Sequence, residues 1–168
     1  FDVMDNHYVP NLTVGPMVCK SLRDDGIKDF IDVHLMITPV NDLAKSFASA
    51  GADLISFHPE AVDDVVETIN IIKECGCKVG IAINPDTSLS VLKDIITKID
   101  LILHLSVYPG FGGQEFIEGT LEKISEAKKL IDQQDHQIFL EVDGGINDET
   151  ISRVSKAGAN VFVAGSAI

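Results

Sequence analysis

Basic residues are scarce in this chain: 13 lysines and arginines face 26 aspartates and glutamates, for a formal net charge of −13. Nucleic acids and anionic membrane surfaces are held by clustered cations, and no basic stripe occurs along the sequence, so neither is expected as a partner. Cysteine is sparse too. Cys19, Cys75 and Cys77 are odd in number and lack the CxxC spacing of a zinc ribbon, which argues against a disulfide framework and for buried thiols in a reducing cytoplasm. No apolar run approaches the roughly 20 residues of a membrane span, and no basic, then apolar, leader opens the chain. The expectation is a soluble, cytoplasmic protein. If it binds an anion, backbone N–H groups and helix N-termini must supply most of the attraction that lysine and arginine supply elsewhere.

What the chain does have is apolar substance: 168 residues at 45% hydrophobic suffice for one domain with a sizeable core, spanning residues 1–168. It begins at Phe1 inside an apolar run and stops at Ile168 just after another, so both ends read as cut. Between them strand-like and helix-like segments alternate. Strands are expected at 1–4, 30–37, 52–58, 78–84, 101–107, 138–143 and 160–165. Helices are expected at 17–24, from Pro39 to Gly51, and at 62–75, 89–99, 120–131 and 147–158. Strands that are apolar nearly end to end, each separated by one amphipathic helix, imply a parallel sheet covered by helices. SAGADLISFH at 49–58 and KAGANVFVAG at 156–165 echo one another and give modest support to a repeated unit.

Polar residues stand at the expected C-terminal end of nearly every strand: Asp2, His34, His58 with Glu60, Asn84, Ser106, Asp143 and Ser166. An open sheet gathers ligand at one switch point, whereas a closed barrel brings all strand ends to one rim, so the distribution favours a barrel. The fold class is therefore α/β, a (β/α)8 barrel that is incomplete. Seven of its eight strands are present, with the first strand and the last helix outside the chain.

The stretch IFLEVDGGIN, 138–147, concentrates the chemistry. A strand ends in Asp143, Gly144 and Gly145 follow with unobstructed N–H groups, and Asn147 opens a helix, an arrangement suited to an anionic ligand, although Asp-Gly also marks simple turns. PGFGGQ at 109–114, containing Gly110, Phe111, Gly112 and Gly113, and the pair Gly165-Ser166 likewise follow strands. One such loop could be merely flexible; three on the last three strands suit a phosphate site. Asp2, His34 and Asp143 are acids and an imidazole at the ends of strands that a barrel brings close, a mixed N/O set suited to one Zn²⁺, Fe²⁺, Mn²⁺ or Co²⁺. Singly, each also fits a cap or turn. Met4 and Met36 lie two residues beyond Asp2 and His34 and so face the same side, where core packing is the plain alternative. His7 and His136 fall in polar loops and are expected at the surface. His104 is out of phase with Leu103 and Leu105 and is expected to be buried and hydrogen-bonded.

Taken together, FDVMDNHYVPNLTVGP, DVHLMI, FHPEA, GIAINPDT, SVYPGFGGQ, EVDGGI and AGANVFVAGSAI resemble, in order and across the whole chain, the ribulose-phosphate 3-epimerase family. The resemblance implies a (β/α)8 barrel that interconverts D-ribulose 5-phosphate and D-xylulose 5-phosphate. It implies Asp2 as metal ligand and acid/base, His34 as metal ligand and substrate contact, and Asp143 as metal ligand and opposing acid/base. Met4 and Met36 match residues lining the family's site, and the loops with Gly110 to Gly113, Gly144 and Gly145, and Gly165 and Ser166 match its phosphate-binding loops. It further implies a small-molecule sugar phosphate as partner and allows a homo-oligomer.

The sequence also departs from that pattern. The family's first metal-binding histidine would precede Phe1, as would a substrate-contacting serine. Leu105 stands where a third site methionine is usual, and His104 and Tyr108 replace the more usual Leu and Asn or Glu. Two rival readings are an epimerase for a six-carbon ketose phosphate such as allulose 6-phosphate, and a catalytically silent sugar-phosphate-binding fragment. Relatives of the first kind tend to break the second glycine of the GFGG and DGG motifs, which are intact here as Gly112-Gly113 and Gly144-Gly145.

Overall fold

A computed structural model describes residues 1–168, whose backbone contacts gather into two units, Phe1–Ile81 and Ala82–Ile168. The first contains strand β1 (Asp2–Met4), helix α1 (Pro16–Asp24), β2 (Asp32–Met36), α2 (Asn41–Ser49), β3 (Leu54–Phe57), α3 (Val65–Glu74) and most of β4 (Lys78–Ile83). The second contains the end of β4, then β5 (Leu101–Leu105), α4 (Thr120–Ile131), β6 (Phe139–Asp143), α5 (Ile151–Ala157) and β7 (Val161–Val163). Within each unit the strands are parallel and lie in chain order. The seven strands agree with the number expected from sequence. No helix is long and apolar enough to cross a membrane.

The strands read as continuous apolar runs because both of their faces are covered. In β2, Val33 and Leu35 on one face and His34 and Met36 on the other are all buried. Pro16 occupies the first turn of α1, where its missing N–H costs nothing and its fixed φ suits the helix. In α2, Ala44 and Phe47 form the buried stripe, and Gly51 just beyond the helix takes φ +103. Arg23 of α1 closes this corner: its Nε donates to the Gly51 carbonyl at 2.9 Å and a terminal nitrogen meets Asp53 Oδ2 at 2.5 Å. α3 begins where Asp64 Oδ1 accepts the Glu67 N–H at 3.0 Å, an N-cap that satisfies one otherwise orphaned donor.

Four helix expectations need correction, three of them before β5 and the fourth at the start of α5. α2 begins at Asn41, not Pro39, and the Thr38–Pro39 peptide is cis. α3 begins at Val65 rather than 62, because Pro59–Ala61 turns as a short 3₁₀ segment and the Asp64 cap sets the start. The expected helix at 89–99 is instead two 3₁₀ turns, Leu89–Leu92 and Ile96–Lys98. Leu92, Ile95, Ile96 and Ile99 are buried, so the apolar pattern reported burial correctly. Ser88 Oγ, however, accepts the Ser90 N–H at 3.2 Å and donates to Ser90 Oγ at 2.9 Å, offering the backbone a turn in place of a helix. The β-branched Ile95, Ile96, Thr97 and Ile99 weaken the remaining helical preference.

His104, central in β5 beside Val142 of β6, is fully buried as expected. Neither ring nitrogen makes a hydrogen bond of ordinary geometry, although the backbone of Leu105 and of His104 itself interacts with the ring and offsets part of the effect of burial. Burial, and secondarily the charge of Lys123, hold its pKa down to about 4 from an ordinary 6.5. Between those values the unfolded chain binds a proton that the folded chain refuses, so stability falls as pH is lowered through this window. The loss should be on the order of 3 kcal/mol. His104→Leu should remove this part of the acid sensitivity and stabilise the protein near neutrality, because an apolar side chain leaves no polar atom unpaired. Urea unfolding of parent and variant at neutral pH and at about pH 4.5 measures it; an equal loss of stability in both would show that His104 is not the cause.

Candidate active site

In the first unit the parallel register sets Asp2, His34 and Ser56 in one row across β1, β2 and β3. Met4 and Met36 pair two residues further on, and by the two-residue period they face the same side as Asp2 and His34. Neither Asp2 nor His34 ends its strand, which corrects the sequence expectation: Asp2 opens β1 and His34 is the middle residue of β2. The two methionines, not the ligand candidates, close these strands, because the β1–β2 ladder continues to Met4 and Met36.

His34 is buried, with Nδ1 at 3.3 Å from Asp2 Oδ1 and Nε2 at 2.9 Å from Nε2 of His58. Burial raises the pKa of the Asp2 carboxyl, but its interactions with His34 outweigh that effect and bring it below the usual carboxylate value. Asp2 is thus an ionised base at neutral pH. Its backbone is pinned from the following loop, where Thr13 Oγ1 donates to the Asp2 carbonyl at 2.7 Å and accepts the Met4 N–H at 2.9 Å.

His58, one residue beyond β3, was visible in the sequence only as one more polar strand end. In the structure it backs His34 directly. It is fully buried, and burial first, then the nearby His34, push its pKa well below the ordinary value, so at neutral pH it is an uncharged ring with one proton. The two facing Nε2 atoms share one proton. When His34 is the donor, its Nδ1 presents a lone pair beside the Asp2 carboxylate. That nitrogen is buried and makes no hydrogen bond, so a cation shared with Asp2 would satisfy it. Imidazole nitrogen and carboxylate oxygen are also the donor types that bind first-row divalent ions, and the residues present therefore fit such an ion. Tyr8 packs its ring on His58, with centroids 4.8 Å apart. His7 and His136 are exposed, as expected.

In the second unit Asp143 is the last residue of β6, as read from the sequence. Its carbonyl accepts from the backbone N–H of Ser106 at 2.8 Å and from Ser106 Oγ at 2.9 Å, and Ser106 Oγ also lies 2.5 Å from the Gly144 carbonyl. Gly144 and Gly145 follow at φ +108 and +64. A side chain at either would collide with the segment behind it: a Cβ on Gly145 would stand 2.8 Å from the backbone N and Cα of Phe116. The next helix starts late. Asn147 Oδ1 accepts the N–H groups of Glu149 and Thr150 at 2.9 and 3.0 Å, forming a turn that delays α5 to Ile151.

The loop after β5 is held in shape by Gln114, whose Nε2 donates to the carbonyls of Tyr108 at 2.6 Å and Phe111 at 2.8 Å. Within it Gly110 and Gly113 take φ +125 and +72, Gly112 has open space around it, and Phe111 is exposed. Gly165 and Ser166 lie in an exposed turn after β7, where the Gly165 carbonyl accepts the Ile168 N–H at 3.1 Å. Glycine-bearing turns thus follow β5, β6 and β7, strands that neighbour one another in that order. Backbone N–H groups in such turns suit an anion.

The sequence model of the Ribulose-phosphate 3 epimerase family matches residues 1–168. The chain belongs to this family. Over 168 residues it is 59% identical to the ribulose-phosphate 3-epimerase of Serratia marcescens, covering all of this chain and 80% of that one. It is 56% identical to the proteins of the same name from Escherichia coli K12 and from Buchnera aphidicola of Schizaphis graminum, covering 75% and 74% of them. Among solved structures, mutants of the tryptophan synthase α-subunit of Pyrococcus furiosus superpose with TM-scores of 0.69 and 0.70 at 20% and 21% identity, over 90% of this chain. This chain spans 62% of the length of those subunits, and the likeness is one of fold alone. The epimerase family is metal-dependent, in keeping with the donor pair that Asp2 and His34 provide.

Proposed function

We propose that this protein inverts C3 of a ketopentose phosphate, interconverting D-ribulose 5-phosphate and D-xylulose 5-phosphate. The observation that carries the reading is the family match along the whole chain, with relatives of that name at 56–59% identity. The chain is accordingly an isomerase, folded as part of a (β/α)8 barrel and working in the cytoplasm.

Inverting a carbon next to a carbonyl means removing a proton from one face and returning one to the other, so acid/base groups must flank the substrate. In this reading Asp2 and Asp143 are those groups. Asp2 is suited to accept the C3 proton because the pKa of its carboxyl lies below the usual carboxylate value and the group is ionised at neutral pH. Asp143 returns a proton from the opposite side, and the roles exchange in the reverse direction. Asp2, His34 and Asp143 would hold one divalent ion of zinc, iron, manganese or cobalt. When bound, that ion supplies positive charge that stabilises the enediolate. His58, buried and neutral behind His34, fixes the ring through the Nε2 contact, the orienting role that a ligand histidine generally requires. Met4 and Met36 line the site with apolar surface that keeps water from the carbanionic carbon. Gly110, Phe111, Gly112 and Gly113, with Gly144, Gly145, Gly165 and Ser166, receive the phosphate, chiefly through backbone N–H groups.

Incubation with D-ribulose 5-phosphate in deuterium oxide tests this. D-xylulose 5-phosphate should form with solvent deuterium at C3, because the proton delivered comes from a carboxyl in exchange with water. No xylulose 5-phosphate, or faster conversion of allulose 6-phosphate, would overturn the assignment.

A further inference from the structure

We propose that Tyr108 and Asp86 form a clasp that holds the glycine-bearing loop 109–114 against the loop after β4, making Tyr108 a positioning residue for the phosphate end of the substrate. The inference rests on the sugar-phosphate reading above and adds to it a determinant of affinity. Tyr108 Oη donates to Asp86 Oδ2 at 2.7 Å. The Asp86 carboxylate, first through this hydrogen bond and then through its charge, pushes the phenol pKa above its ordinary 10, so Tyr108 stays a donor throughout the neutral range.

Both ends of the clasp are anchored. On one side Lys123 of α4 donates to the carbonyls of Asn84 at 3.1 Å and Pro85 at 2.8 Å, and the Thr87 N–H bonds back to Asn84 at 3.1 Å, which fixes the turn that carries Asp86. On the other, Gln114 Nε2 binds the Tyr108 carbonyl at 2.6 Å, so the last residue of the glycine segment is tied to the residue just before it. The Tyr108 side chain is 51% exposed, so core packing does not account for a large aromatic residue at this position.

The physical case is one of preorganisation. A segment with glycines at 110, 112 and 113 has more backbone freedom to lose than one without them, and that loss opposes binding by its N–H groups. A side-chain hydrogen bond that fixes the segment before ligand arrives lowers this cost, and its effect falls on affinity more than on the chemical step. An interaction made equally in ground and transition states raises KM when lost and leaves kcat alone.

The test compares Tyr108→Phe, Asp86→Ala, the double variant and Asp86→Asn, using turnover of D-ribulose 5-phosphate and amide hydrogen exchange of residues 109–117 in the same preparations. Tyr108→Phe and Asp86→Ala should each raise KM about 3- to 10-fold, the scale of one hydrogen bond, with kcat within about twofold of the parent. The double variant should be no worse than either single one. Asp86→Asn, whose amide oxygen still accepts, should restore KM to near the parent. Exchange of 109–117 should quicken in Tyr108→Phe and Asp86→Ala and not in Asp86→Asn. If the parent turns over and KM and exchange are unchanged in both single variants, or the two losses add, the clasp is refuted. If the parent does not turn over but exchange quickens as described, the clasp stands as a structural tie, and both the assigned activity and the role in substrate binding fall.

Discussion

Asp143→Asn is expected to reduce epimerisation of D-ribulose 5-phosphate by about 10²- to 10⁴-fold, the range that a lost acid/base group typically accounts for. An amide matches the carboxyl in size but neither accepts nor donates a proton in the neutral range, and it brings no charge to a cation. The substitution leaves in place the contacts of the residue's carbonyl, which accepts from Ser106 N–H and Oγ at 2.8 and 2.9 Å, and the unfolding midpoint reports whether the fold survives. An unchanged unfolding midpoint together with lost turnover and a lower bound-metal content would assign the loss to the carboxylate. Turnover within about tenfold of the parent would remove Asp143 from the chemistry.

Gly145→Ala should be strongly destabilising. The residue sits at φ +64, where an alanine costs about 1–2 kcal/mol from its own backbone. The added Cβ would also stand 2.8 Å from the backbone N and Cα of Phe116, and backbone cannot swing aside as a long side chain can. The next residue of that segment, Ile117, is tied by its N–H to the Ser106 carbonyl at 2.9 Å, and Ser106 in turn holds the Asp143 carbonyl. The displacement therefore reaches the strand end that carries Asp143. A loss of about 2–4 kcal/mol in urea unfolding is expected. Gly112→Ala provides the comparison: its Cβ would meet nothing within 4 Å and its φ is not left-handed, so its stability should stay within about 0.5 kcal/mol of the parent. Equal midpoints for the two variants would show that the turn at 144–145 can relax, contrary to the close approach seen here.

The readings that held from sequence were those whose cause is local. Ile138, Leu140 and Val142 demanded burial, and the break in that run at Asp143-Gly144-Gly145 is where β6 ends and the backbone turns through two positive φ values. The turns after β5 and β7 were legible in the same way, as glycines just past an apolar run. The failure at 89–99 has a local cause as well: its apolar spacing fits a helix, but Ser88 and Ser90 bond to one another and to the backbone and divert the chain into 3₁₀ turns. Periodicity reports which residues are buried and does not by itself report how the backbone pairs.

The candidate site was legible as residue types and not as geometry. Asp2 and His34 were picked out as strand ends, yet both lie inside their strands, and they meet because the parallel register of β1 on β2 sets residue 2 opposite residue 34. His58 drew no particular weight, because nothing near it in sequence distinguishes it from other polar strand ends. It reaches His34 only after β3 has paired with β2. Tyr108 and Asp86 are 22 residues apart and neither belongs to a pattern that links them. The sequence by itself determined the order of strands and helices, the burial of the strands and the placing of the glycine turns, since these follow from side-chain polarity and backbone freedom over a few residues. Only the tertiary structure decided which histidine backs which ligand, which carbonyl holds the strand end of Asp143 and which loop Tyr108 is tied to. Those contacts are set by the register between strands and the approach of loops far apart in the chain, and no local propensity encodes a register.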